Sequence, residues 1–168
     1  MNKYFDFLVV NFTELYKNKT LEDKFVSKIF TFVNEKHQYI FINQYDEIKG
    51  ELESDFYRFL VKKYNANCYS RGALFVNEKE EKTIILVFID KTDEIGIEMI
   101  AKIYRNKDNE INDVDDFKSY KSKKKDMIFG WLFDEDNLTS DKLEHLNNIH
   151  EEIKHQFIIS ESVQLTKQ

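Results

Sequence analysis

The sequence predicts an α+β fold, in which an antiparallel β-meander of about four strands is preceded by helices and closed by a C-terminal helix packed on the sheet. Three observations lead to this prediction. Six consecutive apolar residues lie within residues 82–90, and four of them are β-branched. Apolar stripes at three- and four-residue spacing come before this run, and another follows near the C-terminus. Since no linker or repeat divides the chain, residues 1–168 are predicted to form one domain.

Residues 82–90, with the sequence KTIILVFID, are predicted to form the central strand of that sheet. A helix that crosses a membrane needs roughly 20 apolar residues, so the run is too short for that role. β-branched side chains favour extended backbone, and an unbroken apolar run with polar flanks is typical of a strand buried on both faces. We therefore expect protein layers above and below this strand.

The N-terminal part of the chain is predicted to be helical. Residues 3–35 carry two amphipathic stripes separated by a short polar break, which predicts two helices. Thr20, with Asp23 three residues later, has the pattern of an N-cap for the second helix. Residues 37–43 fit either a strand or the end of a helix, and both assignments remain open. Residues 46–64 carry a further helical stripe and predict a helix.

The middle of the chain predicts the strands of the meander. Residues 65–72 are rich in Asn, Ser and Gly and predict a turn, and residues 73–77 predict a strand that pairs with the central one. Residues 97–104 alternate between apolar and polar, which predicts a half-buried strand, although they would also fit a helical face. Residues 106–126 predict a long polar connection, and residues 127–133 predict a fourth strand.

The C-terminal helix is predicted from its N-cap and its apolar stripe. Thr139 or Ser140 is the expected N-cap, with Asp141 in the first turn. The tail from Ser160 is polar and is expected to fray. The residues expected on the buried face of the helix are Leu143, Leu146, Ile149, Ile153 and Phe157.

Composition and charge narrow the classes of function. The chain has 25 basic and 31 acidic residues, a net charge of −6, and the basic residues include only three Arg. Nucleic acids are bound by cationic side chains, so direct nucleic-acid binding is disfavoured. Cys68 is the one cysteine, which excludes an intramolecular disulfide and a zinc site built from several thiolates. The first residues lack the long apolar core of a secretory signal, so we expect a cytoplasmic protein without membrane association.

No motif in the sequence indicates catalysis or metal binding. His145, His150 and His155 are evenly spaced, but a step of five residues turns a helix by roughly 140°, so neighbours in the series do not share a face. Glu152 and His155 form one E-x-x-H pair, whereas di-iron carboxylate bundles need two. We therefore expect no metal, no cofactor and no enzymatic activity. Cys68 with His37 would supply a nucleophile and a base, but a lone cysteine beside a turn is more typical of an unreactive residue.

Two acidic clusters are the candidate partner-binding residues. A group of carboxylates attracts a basic partner and speeds its association. A second hypothesis is strand addition, in which an uncovered edge of the meander pairs with a strand of the partner. The candidate residues are Asp113, Asp115 and Asp116 in the first cluster, and Asp134, Glu135 and Asp136 in the second.

An acidic domain with a large core and no catalytic motif is more typical of a binding module than of an enzyme. In size, charge and layout this chain resembles the immunity proteins of bacterial contact-dependent or polymorphic toxin systems. The resemblance implies that the partner is a cognate protein toxin, such as a basic nuclease, which the protein neutralises by contact. Two other functions remain open: a phage or mobile-element inhibitor that mimics the charge of nucleic acid, and an enzyme with a site assembled from distant residues.

Overall fold

A computed structural model describes residues 3–76, 78–79, 82–134 and 138–161. Within these residues the chain has three α-helices and eight antiparallel strands, so the α+β class is confirmed but four strands were too few. None of the described helices has the length and hydrophobicity needed to cross a bilayer. The helices are α1 (Lys3–Asp23), α2 (Glu51–Lys63) and α3 (Ser140–Ile153). The strands are β1 (Lys28–Val33), β2 (His37–Asn43), β3 (Cys68–Val76), β4 (Lys82–Asp90), β5 (Ile95–Arg105), β6 (Ile111–Val114), β7 (Lys118–Lys123) and β8 (Ile158–Glu161).

The strands form one curled sheet in the order β6-β5-β4-β3-β1-β2-β8. β7 pairs with the first half of β5, and β6 pairs with its last residues, so the two short strands share one side of β5. The predicted strand at residues 82–90 is β4, which pairs with β3 on one side and β5 on the other. β5 also confirms the strand predicted at residues 97–104.

Two apolar cores lie on opposite sides of the sheet, because successive side chains of a strand point to opposite faces. Leu86 and Phe88 of β4 pack in the core under α1. Val87 and Ile89 of the same strand pack in the core that also contains residues of α2 and α3. β4 is therefore covered on both faces where these residues lie, as its unbroken apolar run predicts.

The prediction of a second N-terminal helix is wrong, because residues 28–33 form β1. α1 ends where Lys24 adopts a positive φ of 61°, and the chain then becomes extended. Phe30 and Phe32 enter one core while Ile29 enters the other, so burial on both faces outweighs the helical spacing of the apolar residues. Thr20 is not an N-cap, since it is buried inside the last turns of α1. Residues 37–43, left open by the sequence, form β2.

The C-terminal half also differs from expectation. The turn predicted at residues 65–72 is shorter, because Cys68 already begins β3, and the polar connection at residues 106–126 contains β6 and β7. Residues 127–133 are not a strand. Of the tail expected to fray, Ser160 pairs with Gln38 of β2, and residues 162–168 lie outside the described residues.

Residues 127–133 fold into turns on the side of the sheet opposite α1. The Tyr69 hydroxyl donates a hydrogen bond to the carbonyl of Phe129 and accepts one from the backbone N–H of Leu132 at 3.3 Å. A side chain at Gly130 would overlap the carbonyl oxygen of Lys124, so this turn requires glycine. The apolar side chains Met127 and Leu132 are buried here without extended pairing.

The two later helices are close to their predictions. α2 occupies the larger part of residues 46–64. α3 begins after Thr139, whose side chain accepts a hydrogen bond from the backbone N–H of Lys142 at 3.3 Å, as expected of an N-cap. Leu146 and Ile153 are buried as predicted, but Leu143, in the first turn of α3, is exposed.

Candidate functional site

The sheet is covered unequally on its two sides around β3, β4 and β5. Ile84 and Leu86 of β4 are fully buried under α1, whereas Ile85, which points to the opposite side between them, is only half-buried. We call this second side the open face. It is defined by Phe75, Ile85, Ile100, Tyr104, Tyr120 and Ile128.

The strand register builds the open face from four strands. Ile85 lies opposite Ala73 of β3 and Ile100 of β5, which makes a continuous apolar row across the sheet. Phe75, two residues beyond Ala73, points to the same side, and Tyr120 of β7 lies opposite Glu98 of β5. Exposed fractions are 45% for Phe75, 49% for Tyr120 and 52% for Ile128, so large apolar groups remain in contact with solvent.

A buried ion pair lies beside the open face, on the same side of the sheet. Arg71 of β3 and Glu53 of α2 are both almost inaccessible, and the Arg71 Nη2 atom lies 2.5 Å from the Glu53 Oε1 atom. The Arg71 guanidinium also lies 5.0 Å from the centre of the Phe129 ring. Above it is a notch of about 30 Å³ between Arg71, Phe75, Ile85, Val87, Ile128 and Phe129. The notch has room for one small group.

The structure brings two of the predicted acidic residues to the margin of the open face. Asp113 of β6 lies opposite Tyr104, and Asp115 accepts a hydrogen bond from the Tyr104 hydroxyl at 2.9 Å. This hydrogen bond raises the pKa of Tyr104. Asp116 is turned toward α1 instead, where Lys17 Nζ lies 3.1 Å from its carboxylate. The first cluster is therefore divided between the open face and α1.

The second acidic cluster is described only at its first residue. Asp134 is exposed and follows the turns formed by residues 127–133, and its backbone N–H bonds to the carbonyl of Trp131 at 3.1 Å. Glu135 and Asp136 lie outside the described residues. The second cluster therefore remains a prediction.

The histidines do not converge on a common site. His150 is buried, with Nε2 at 2.6 Å from the Tyr64 hydroxyl, and burial followed by the charge of Lys63 lowers the pKa of its imidazole. His155 is exposed, and His145 lines a shallow cavity between α2 and α3. Across the described residues, no group of three or more His, Cys, Asp or Glu side chains is placed to hold a metal ion.

The cysteine–histidine pair considered as a nucleophile and base is not formed. Cys68 is buried in the core under α1, and burial together with the charge of Asp90 raises the pKa of its thiol. The ring of His37 contacts Tyr39, whose ring belongs to the core on the other side of the sheet. The two side chains therefore lie on opposite faces.

Within the described part of the chain, the strands at the two ends of the sheet also differ from each other. β7 carries Lys118, Lys121 and Lys123, and charged side chains of this kind disfavour pairing with another strand. At the other end of the sheet, β8 has all four residues exposed, including Ile158 and Ile159. Strand addition is therefore more favourable at β8 than at β7.

Searches found no matching protein-family model, curated protein or solved structure. The residues of the open face were not singled out by the sequence, although Phe75 and Ile128 lie in apolar segments. The sequence contains one partial indication of the open face, which is the polar character of residues 118–123. A polar strand at the end of an antiparallel sheet is typical of a sheet face that contacts solvent.

Proposed function

We propose that this protein binds another protein through the open face and thereby neutralises a bacterial toxin. The open face itself is the observation that carries this proposal. It presents aromatic and aliphatic side chains from β3, β4, β5 and β7 to solvent, and exposed apolar surface of this kind in soluble proteins often marks binding sites. Tyr and Phe are also enriched among the residues that contribute most to protein–protein affinity.

Charged side chains of both signs lie around the apolar row. Asp113 and Asp115 lie at the Tyr104 end of the open face, so a basic group of the partner is favoured there. Lys102 and Lys118 lie closer to the apolar row, opposite Thr83 and Ile100 respectively. Both signs of charge on one face favour a single orientation of the partner, because the wrong orientation brings like charges together.

The resemblance to immunity proteins supports a toxin as the partner. A chain with a net charge of −6 attracts a basic enzyme such as a nuclease over a distance of about one Debye length. Contact between the open face and the active site, or a surface beside it, would then block access of the substrate. In this mechanism the protein needs no catalytic group of its own.

Co-expression with a toxin encoded by a neighbouring gene tests this function. We expect the wild-type protein to restore growth, and we expect Phe75→Ser combined with Tyr120→Ser to weaken binding by about 100-fold or more, since two anchors are lost. Val10→Ser, an exposed residue of α1 on the other side, is the matched control. The proposal fails if no neighbouring gene encodes a toxin, or if the double variant protects as well as the control.

A separate measurement tests the acidic residues. Replacement of Asp113 and Asp115 by Asn should slow association and reduce its dependence on salt, with a smaller effect on dissociation. Asp116→Asn is the control within the same cluster, because Asp116 faces Lys17. Neutralisation of Asp134, Glu135 and Asp136 tests the second cluster in the same way. Association rates that do not change with salt in any variant would contradict electrostatic steering.

A further inference from the structure

A cleft of about 500 Å³ lies away from the open face, between the end of α1 and the loop that leads into α2. Its walls come from the connection between α1 and β1 and from residues 42–49. Small-molecule sites in proteins commonly have volumes of roughly 300–1,000 Å³. The cleft is therefore large enough for a ligand of the size of a metabolite.

Hydrogen bonds hold both walls of the cleft in place. The Tyr16 hydroxyl donates to the carbonyl of Ser27, which fixes the first wall to α1. On the second wall, the side-chain amide of Asn43 donates to the carbonyl of Ile48 at 2.8 Å and accepts from the backbone N–H of Tyr45 at 3.1 Å. A cleft with fixed walls loses less conformational entropy when a ligand binds.

The charges at the cleft favour an anion. Lys28 lines the cleft, and its Nζ lies 3.7 Å from the carboxylate of Glu53. Since Arg71 already neutralises Glu53, Lys28 contributes a surplus positive charge at this point. Lys49 and Asp46 also line the cleft, so its walls carry two cationic side chains and one anionic one in a protein of net charge −6.

The apolar lining of the cleft includes two aromatic rings. Phe25 lies two residues after the end of α1, and its large apolar ring is 57% exposed. Tyr45 is half-buried, and its ring is nearly parallel to that of Phe41, with 6.5 Å between their centres. Exposed ring surface beside cationic groups suits a ligand with a flat apolar part, because aromatic groups attract one another beyond their buried area.

We propose that this cleft binds a small organic anion that carries a flat ring. The anionic group contacts Lys28 and Lys49, and the ring packs against Phe25 and Tyr45. Phosphate monoesters and carboxylates share this chemistry. The site is distinct from the open face, so the proposal does not depend on toxin binding.

Calorimetric titration of the full-length protein tests the site. The probes are AMP and indole-3-acetate as ring-bearing anions, with adenosine as a ring without the anion and inorganic phosphate as an anion without the ring. We expect AMP or indole-3-acetate to bind at least about tenfold more tightly than adenosine and phosphate, because each lacks one half of the interaction. The anion that binds more tightly identifies a phosphate or a carboxylate as the preferred group.

Single variants locate the binding to the cleft. Lys28→Met and Phe25→Ser should each weaken the tighter probe by about tenfold, whereas Lys36→Met, an exposed lysine in the β1–β2 turn, should bind as the wild type does. Amide chemical shifts report whether each variant keeps the fold. The proposal is overturned if neither anion binds with a dissociation constant below about 10 mM, or if folded Lys28→Met and Phe25→Ser variants bind as tightly as Lys36→Met.

Discussion

The two sides of β4 have nearly the same residue types but different surroundings. Ile84, Leu86 and Phe88 are fully buried under α1, which contacts β1, β3, β4 and β6. On the other side, Val87 and Ile89 are buried in a core that contains residues of α2, of α3 and of the turns at residues 127–133, whereas Ile85 is half-buried. Whether an apolar side chain belongs to a core or to a binding surface is therefore decided by the elements that lie over it. An apolar run shows that a strand needs cover without showing where the cover comes from.

The largest expected effect is the difference in unfolding free energy when the same substitution, Phe to Ala, is made on each side of the sheet. Phe88→Ala removes a fully buried ring under α1 and should lower the free energy of unfolding by about 3–5 kcal/mol. Phe75→Ala removes a ring of the open face that is already 45% exposed, and should cost less than about 1 kcal/mol. Urea denaturation of both variants measures the difference. Equal losses would show that the open face is packed as tightly as the side under α1.

A smaller effect is expected at the contact between β3 and α1. A Cβ atom at Gly72 would overlap the ring of Tyr16, which is buried, so Gly72→Ala should lower the free energy of unfolding by about 1–3 kcal/mol. The neighbouring Ala73→Val points to the open face and should change stability by less than about 1 kcal/mol. Thermal or urea unfolding tests both. If Gly72→Ala is as stable as the wild type, α1 does not pack closely on β3.

The smallest effect concerns the part of the second side that α2 and α3 cover. Burial lowers the pKa of His150, so the folded protein holds this imidazole neutral, while the unfolded chain protonates it below a pH of about 6.5. The unfolded state then binds more protons, and the stability due to His150 is lost as the pH falls below about 6.5. The charged or titratable groups that act on the imidazole are Tyr64, Lys63, Glu151 and Lys154.

Urea unfolding at pH 5.5 and pH 7.5 measures this dependence. His150→Gln should reduce the difference in stability between the two pH values, while His155→Gln, at an exposed position of the neighbouring turn, should leave it unchanged. The same difference in His150→Gln as in the wild type would assign the dependence to other groups.

Two wrong assignments show where local patterns mislead. The aromatic and β-branched residues of 25–33 recur at helical spacing, but Phe30 and Ile29 enter cores on opposite sides of the sheet, which only a strand allows. Residues 127–133 have the composition of a strand, yet the Tyr69 hydroxyl and the glycine at position 130 hold them in turns. In both segments a contact with a distant residue outweighs the local preference.

The candidate site was visible in the sequence only in part. Clustered carboxylates such as Asp113 and Asp115 can be found in the sequence alone, and the structure places both beside Tyr104. The open face could not be found in this way, because Phe75 and Phe88 look equivalent in the sequence. Their exposures differ because α1 extends over Phe88, and no helix lies over Phe75 among the described residues.

The sequence by itself determined the features that depend on neighbours a few residues apart. These are the extended backbone of β4 with its burial on both faces, and the start of α3 after Thr139. Only the tertiary structure decided which side of β3, β4 and β5 remains uncovered, and which acidic residues share a surface. Asp116 is drawn to Lys17, 99 residues away, while Asp115 bonds to Tyr104. Such pairings require the register of the sheet and the position of α1, which local preferences do not contain.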